Sequence, residues 1–235
     1  MGRRTAKLRT MAALMRAGHY DEVKRHFHRW LFSDSLSYGL RRDLNVPFES
    51  PRAKVSLTVR PMRDAEAREL LDTHVAGLTG QGIYERMSRL EFIGAQIPTC
   101  FVAVTDNDEP CYMQALIGPG ENARIQQYFE GYFPWLRADE ALLEHAFTRE
   151  TFQGLGIMPH AMAKIAERGR ELGARWIITF VAHDNIPALK GCKRAGFSPY
   201  LRRREKWRLF RKRLDFEELP QGTPYPFDRD QMAVA

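Results

Sequence analysis

Two glycines lie one residue apart in the segment TFQGLGIM, residues 151–158, directly after an apolar, strand-like run, ALLEHAFT. After Gly156 the apolar residues recur at helical spacing to about Leu172, with charged residues on the other face, which predicts an amphipathic helix. A strand, a glycine-rich turn and a helix N-terminus direct several free backbone N–H groups at one spot, and such a spot binds anions. Glycine also lets the backbone come close to a bulky phosphate, because no Cβ intervenes.

Two other phosphate-binding motifs do not fit this loop. The sequence contains no GxxxxGK[ST], and one GxG without a third glycine is a poor dinucleotide-binding fingerprint. On these residues alone, a plain turn that binds nothing is an equally good interpretation.

A second segment, VAHDNIPALKGCKRAGF at residues 181–197, gives the loop a context. QGLGIM resembles the acyl-CoA pyrophosphate loop of the GNAT acetyltransferase superfamily, Q/R-x-x-G-x-G/A. The second segment resembles that family's N-x-x-A, followed by a helix that closes in Gly-Phe. Both occur in the family's order and at its spacing, and the resemblance covers the order of strands and helices over about residues 55–210.

The resemblance implies an acyl-CoA-dependent acyltransferase with acetyl-CoA as co-substrate and with two central strands that splay apart around it. The loop would present its amides to the CoA pyrophosphate, and the loop residues are Gln153, Gly154, Leu155, Gly156, Ile157 and Met158. The end of the preceding strand would bond the pantetheine arm as a neighbouring strand does, and its residues are Ala146, Phe147 and Thr148. Asn185 would bond the pantetheine or an ordered water.

This sequence departs from the family pattern at two positions. Met158 stands where the family prefers Gly or Ala, so its side chain must turn away from the phosphates. Cys192 stands where many members place a tyrosine that protonates the departing thiolate. Lys190, Lys193 and Arg194 are candidates for the CoA 3′-phosphate, although such residues more often form a solvated helix face.

Attack of an amine on an acyl thioester requires a base, a donor for the oxyanion and an acid for the thiolate. A backbone N–H at the end of the ALLEHAFT strand is a candidate oxyanion donor. Glu144 and His145 are adjacent on that strand, so alternation predicts that only one of them faces the cleft. We take Glu144 as the candidate base, with a solvent-exposed charge at a strand end as the alternative.

Cys192 is the candidate acid, because it lies two helical turns after Asn185 and shares its face. Ala188, Leu189 and Ala195 extend the same apolar stripe, however, and this pattern favours Cys192 as a core residue. We therefore expect solvent or another group to protonate the thiolate.

The remaining elements follow from hydrophobic periodicity. Helical stripes over residues 5–31 predict a helical pair, expected to pack on the main domain, and a loop is expected over residues 33–54. Strands are predicted at VSLTVRPM, CFVAVTD, CYMQALIG, ARWIITFVA and FSPYLRRREKWRLF, and helices at residues 64–75, 83–95 and 186–195. The aromatic-rich residues 128–135 have no clean period and are expected to pack against the helical pair rather than to line an acceptor pocket.

Composition narrows the class of protein. The chain has 235 residues, 44% of them hydrophobic, and three scattered cysteines without metal-ligand spacing, which suits a cytoplasmic protein and predicts no metal. No apolar run is long enough for a membrane span. The net charge of +7 is concentrated at the start of the chain and in LRRREKWRLFRKR, residues 201–213. We read that run as a solvated face and disfavour nucleic acid as a partner.

Together these features predict a mixed α/β fold, GNAT-like, with an N-terminal helical extension. The expected divisions are an extension and linker at residues 1–54, an acetyltransferase domain at 55–216 and a tail at 217–235. The leading function is transfer of an acetyl group from acetyl-CoA to a small-molecule amine. Two alternatives stay open: transfer of a longer acyl chain from an acyl carrier protein that docks on the basic surface, and a non-catalytic acyl-CoA sensor.

Overall fold

The computed structural model describes residues 3–95, 97 and 99–228. The strands are β1 Phe32–Asp43, β2 Thr58–Pro61, β3 Cys100–Val104, β4 Pro110–Ile117, β5 Glu140–Thr148, β6 Trp176–Ala182, β7 Ser198–Arg208 and β8 Arg211–Glu218. The α-helices are α1 Arg3–Arg16, α2 Tyr20–Leu31, α3 Asp64–Leu70, α4 Gly80–Gly94, α5 Asn122–Phe129, α6 Ile157–Glu167 and α7 Ile186–Arg194. The strands form a single sheet in the order β2-β3-β4-β5-β6-β1-β7-β8.

The sheet is antiparallel except between β5 and β6. These two strands pair in parallel only where residues 140–142 meet residues 176–178. Beyond that point they separate, so residues 143–148 of β5 have no partner on the β6 side. The mixed α/β fold with splayed central strands is therefore confirmed.

Helices cover both faces of the sheet. Alternate residues of β5 divide between the two faces, because Leu143 packs in one hydrophobic cluster with α6 and α7, whereas Leu142 packs in another with α4 and α5. The separation of β5 from β6 consequently opens a passage from the α6 side of the sheet to the α4 side.

The prediction of a loop over residues 33–54 is wrong for its first part, because that part belongs to the twelve-residue strand β1. It lies between β6 and β7 and pairs antiparallel with both. Ser, Asp, Gly and Arg dominate this segment, and none of them is among the residue types enriched in strands. Hydrogen bonding on both edges, together with burial of Tyr38 and Leu40 in the core, outweighs that local preference.

The helical pair packs on the main domain, as expected. Met11 and Leu14 of α1 and Val23 and Trp30 of α2 form one cluster with Ile83 of α4. None of the described helices is long and apolar enough to cross a membrane.

The aromatic residues 128–135 do not pack where they were expected. They begin inside α5, and Phe129 and Phe133 are buried in the cluster that α4 and α5 form with the sheet. Phe129 contacts the rings of Phe92 and His145, and Phe133 contacts that of Phe180. The expectation of packing against the helical pair is wrong, because these rings fill the space between α4 and the sheet.

The basic run at residues 201–213 forms most of the β7–β8 hairpin. Its charges meet partners within the fold: Arg202 pairs with Glu217 at 2.6 Å, and Arg213 pairs with Asp215 at 3.0 Å. Arg203 is buried and donates to the carbonyl of Tyr132 at 2.9 Å. Most of this run is therefore engaged within the molecule.

Candidate active site

The glycine loop ends where α6 begins. Gly154 and Gly156 have φ of 77° and 74°, a left-handed conformation that glycine adopts without steric cost. In the described part of the chain, the backbone N–H groups of residues 154–158 donate no hydrogen bond. Five consecutive free donors at a helix N-terminus form an anion site, because the helix dipole adds to the N–H groups.

Basic residues lie beside this loop, but they differ in availability. A Cβ added to Gly156 would come 3.7 Å from the Arg194 guanidinium, so that charge lies next to the free amides. Lys193 is instead paired with Asp228 at 2.8 Å, and Lys190 lies 5.8 Å above the ring of Phe227. Of the three, Arg194 is best placed to meet a phosphate at the loop.

The Met158 side chain is directed away from the loop amides. A Cβ added to Gly191 of α7 would come within 2.3 Å of the Met158 Sδ, so the thioether occupies the space that Gly191 leaves. This packing explains how the loop accommodates Met158 at a position where the family that the loop resembles prefers Gly or Ala.

A cleft of about 310 Å³ lies where β5 and β6 separate. From α4 it is lined by Tyr84, Glu85, Ser88 and Arg89. From α6, α7 and the turn before α7 it is lined by Met158, Met162, Ala188, Cys192 and Asn185. The strands contribute Gln114, Glu144, His145, Ala146, Thr179, Phe180 and Val181. The cleft thus connects the two faces of the sheet and brings together Glu144, Ala146, Met158, Asn185 and Cys192 from the predicted set.

The other predicted residues lie beside the cleft. Phe147 is buried beneath α3 and α4, and Thr148 accepts a hydrogen bond from the Gln153 side chain at 3.5 Å. Leu155 and Ile157 face the core. A larger cavity of about 680 Å³, near Trp176 and Tyr200, is lined by Lys193 but by none of the other residues predicted to be catalytic or cofactor-binding.

A bulge in β5 changes which side chains reach the cleft. Met113 and Ala115 of β4 pair with Phe147 and Glu144, so two residues of β5 lie opposite one of β4. His145 has φ of 56°, which is uncommon outside glycine. The bulge interrupts strand alternation, and both Glu144 and His145 line the cleft. The expectation that only one of them faces it is therefore wrong.

The two side chains have different surroundings. The Glu144 carboxylate accepts a hydrogen bond from the His145 backbone N–H at 3.1 Å. The His145 ring lies 4.2 Å from that of Phe92 and 5.8 Å from that of Phe129. Glu144 is thus held at the bulge, while His145 packs among aromatic rings.

Cys192 and Tyr112 are deeply buried side chains near the cleft, and each carries an ionisable proton. Cys192 is 1% exposed, its Sγ lies 3.8 Å from the Met162 Sδ, and burial raises its pKa to about 12. The Tyr112 hydroxyl donates to Gln114 at 2.7 Å, and burial raises its pKa well above the usual value. Both groups are weak proton donors, and Cys192 is packed as a core residue.

Asn185 begins α7 as its N-cap. Its side-chain carbonyl accepts from the Ala188 N–H at 3.2 Å, and the residue lines the cleft. Among the described residues, no group of three or more His, Cys, Asp or Glu side chains is arranged to hold a metal ion.

Arg89 lines the cleft, although the sequence did not predict a role for it there. Its guanidinium donates to the carbonyl of Ala146 at 2.7 Å and lies 5.1 Å above the ring of Phe147. Glu85 and Arg89 have the spacing of an ordinary exposed helical ion pair, so the sequence carries no signal for this role.

Comparisons with known proteins agree with this geometry. Residues 81–197 match the profile of the family described as "Acetyltransferase (GNAT) family". A search of curated proteins gave no match. A structure described as a functionally unknown conserved protein from Staphylococcus epidermidis is 12% identical with a TM-score of 0.50, over 74% of this chain and 61% of that one.

A second structure is a GCN5-related glucosamine N-acetyltransferase region of a fungal multi-domain GH3 β-N-acetylglucosaminidase. It is 14% identical with a TM-score of 0.51, over 78% of this chain and 22% of that one. Both matches therefore involve less than two thirds of the other protein, and at these identities they show the fold alone. The profile match covers the α4 wall, the bulged strand, the glycine loop and α7. The chain therefore carries, over residues 81–197, an acetyltransferase domain of the GNAT family, whose co-substrate is acetyl-CoA.

Proposed function

We propose that this protein transfers an acetyl group from acetyl-CoA to the amine of a small molecule by direct attack on the thioester. The observation that carries the proposal is the row of free backbone N–H groups at residues 154–158, at the mouth of a cleft that passes between β5 and β6. The pyrophosphate would bind these amides, with Arg194 beside them. The pantetheine arm would follow the unpaired edge of β5 toward Glu144.

In this arrangement Glu144 is the candidate base. Its carboxylate lines the cleft and is positioned by the His145 N–H. The reaction forms the N–C bond of the amide, breaks the C–S bond of the thioester and releases one proton overall, because the ammonium loses two protons and the thiolate gains one. Glu144 would take the first proton from the ammonium through water. Solvent would donate the proton that the thiolate gains, since Cys192 is a weak acid.

The small cleft favours this function over transfer of a long acyl chain. Its volume of about 310 Å³ is at the lower end of the range for ligand sites. The basic β7–β8 hairpin, which was considered as a docking surface for an acyl carrier protein, has several of its arginines engaged by acidic or carbonyl partners.

The test is an acetyl-CoA titration of Gly156→Ala beside a matched control, Gly173→Ala. Both glycines are left-handed, with φ of 74° and 73°, and they lie at opposite ends of the helical segment that starts with α6. We expect both variants to lose similar stability from backbone strain, about 1–2 kcal/mol. Only Gly156→Ala should weaken acetyl-CoA binding, by at least about tenfold. Equal affinity in the two variants would contradict the proposal.

A further inference from the structure

The α4 side of the cleft is the side that remains for the acceptor. The glycine loop and α7 lie on the opposite face of the sheet, and the proposed cofactor path enters from there. An amine that attacks the thioester in the gap must therefore approach from the wall formed by α4. The chemistry of that wall decides what kind of amine is accepted.

Arg89 is the cationic group of this wall. One terminal nitrogen donates to the Glu85 carbonyl and the other to the Ala146 carbonyl, each at 2.7 Å. Its Nε is buried and makes no hydrogen bond within the described residues. The side chain is 15% exposed, and the Glu85 carboxylate is 4.0 Å away. The guanidinium thus bonds mainly to neutral carbonyl groups.

The neighbouring arginine of α4 is different. Arg86, which also lies above the Phe147 ring, directs a terminal nitrogen to the Glu150 carboxylate at 2.7 Å. It has a close ionic partner, and it does not line the cleft. Of these two arginines, only Arg89 lines the cleft without such a close carboxylate.

Negative charge lines the same cleft as Arg89. Glu144 lines the β5 side, and its charge, together with that of Glu85, opposes the effect of burial, which lowers the pKa of Arg89. A ligand with an amine alone would pair with the carboxylates but would offer the guanidinium no closer anion than Glu85, whose carboxylate is 4.0 Å away. A planar carboxylate matches the guanidinium fork, and an ammonium matches Glu144.

We infer that the acceptor is a small amino acid, bound through its carboxylate by Arg89 and through its amine beside Glu144. This inference rests on the proposed function and narrows its substrate class. The limited cleft volume restricts the side chain, and because Arg89 and Glu144 line the same small cleft, one small molecule that carries both a carboxylate and an amine can bind both groups. Binding of the carboxylate orients the amine toward the thioester.

The experiment compares matched pairs of acceptors with the full-length protein. Each proteinogenic amino acid is paired with its decarboxylated amine, for example histidine with histamine and leucine with isopentylamine, and putrescine is added as a purely cationic probe. Binding is measured by calorimetry in the presence of saturating CoA, and acetylation is measured by release of free thiol. Acetyl-CoA binding is titrated separately.

We expect at least one amino acid to bind and react with kcat/KM at least about 30-fold above that of its decarboxylated partner. Arg89→Gln should remove this preference by raising KM for the amino acid, with little change for the amine. Arg89→Lys should retain part of it. Arg124→Gln, an exposed arginine of α5, serves as the control and should change neither.

Each result separates the inference from the proposed function. If acetyl-CoA binds but putrescine or the decarboxylated amines are preferred, or if no amino acid binds, the inference is wrong and acetyl transfer stands. If Arg89→Gln lowers kcat/KM equally for both members of a pair, Arg89 only supports the Ala146 carbonyl and the inference is also wrong. If acetyl-CoA itself does not bind, the proposed function fails first.

Discussion

The bulge at His145 decides which residues of β5 serve the site. A non-glycine residue at φ of 56° costs free energy, and such residues concentrate at functional sites. Here the strain redirects the chain so that Glu144, His145 and Ala146 all face the cleft. The same irregularity leaves the Ala146 carbonyl accessible to Arg89.

Cys192 has two possible roles, as a core residue or as the acid that protonates the CoA thiolate. Because burial raises its pKa to about 12, its thiol is a poor acid for the CoA thiolate. We expect Cys192→Ala to lower the free energy of unfolding by about 1–2 kcal/mol through a small cavity. Turnover of the folded enzyme should be unchanged. Steady-state kinetics and a thermal melt of the same preparation test this.

A large loss of kcat without loss of stability would instead identify Cys192 as the acid. The pH dependence of kcat gives a second check. If Cys192 is only a core residue, the variant and the wild-type protein should have the same profile at alkaline pH.

At the level of elements, Glu66 connects three parts of the edge of the sheet. It lies in the first turn of α3 and accepts hydrogen bonds from Arg60 of β2 and from Arg63, while both arginines also reach Asp108 between β3 and β4. Burial alone would raise the pKa of Glu66, but these hydrogen bonds outweigh it and lower the pKa to about 2.

This network predicts a pH-dependent loss of stability in Glu66→Gln. A lowered folded-state pKa means that the stabilisation is complete above the unfolded-state pKa of 4.5 and disappears as pH falls toward about 2. We expect the variant to lose about 2 kcal/mol at pH 7 and progressively less below pH 4.5. Urea unfolding at pH 7, 5 and 3 measures this.

The control for this network is Glu69→Gln in the same helix. Glu69 is exposed, and its carboxylate is 3.9 Å from Arg149, so its replacement should cost less than about 0.5 kcal/mol. If Glu66→Gln loses as much stability at pH 3 as at pH 7, the ionised carboxylate is not the stabilising species.

At the level of the whole molecule, the N-terminal segment is part of the central sheet. The region that matches the family profile starts at residue 81, yet β1 fills the space between β6 and β7. Without β1, each of those strands would lose a hydrogen-bonded neighbour, and Leu40 would leave a cavity in the core.

Two truncations test this dependence. Removal of residues 1–31 deletes the helical pair and exposes apolar residues of α4, so we expect a cooperative fold with a lower Tm. Removal of residues 1–43 also deletes β1, and we expect loss of the cooperative transition. Circular dichroism melts of both truncated proteins measure the difference. A wild-type-like melt after removal of residues 1–43 would show that β6 and β7 pair without β1.

Local sequence determined the elements that carry strong periodicity. The glycine loop, α6, the β3–β4 hairpin and the start of α7 follow from turn residues and apolar spacing, which act over a few neighbouring residues. The same local signals located the free amides at the N-terminus of α6, because helix geometry alone leaves the first N–H groups without partners.

Tertiary structure decided the rest, because the stabilising contacts are made between segments that are distant in sequence. β1 is a strand only because β6 and β7 bond to both of its edges, and α5 forms where its aromatic residues fill the space between α4 and the sheet. Glu144 and His145 share the cleft because a bulge opposite Gln114 breaks the period of two. Arg89 reaches Ala146 across 57 residues of sequence, a contact that no local pattern encodes.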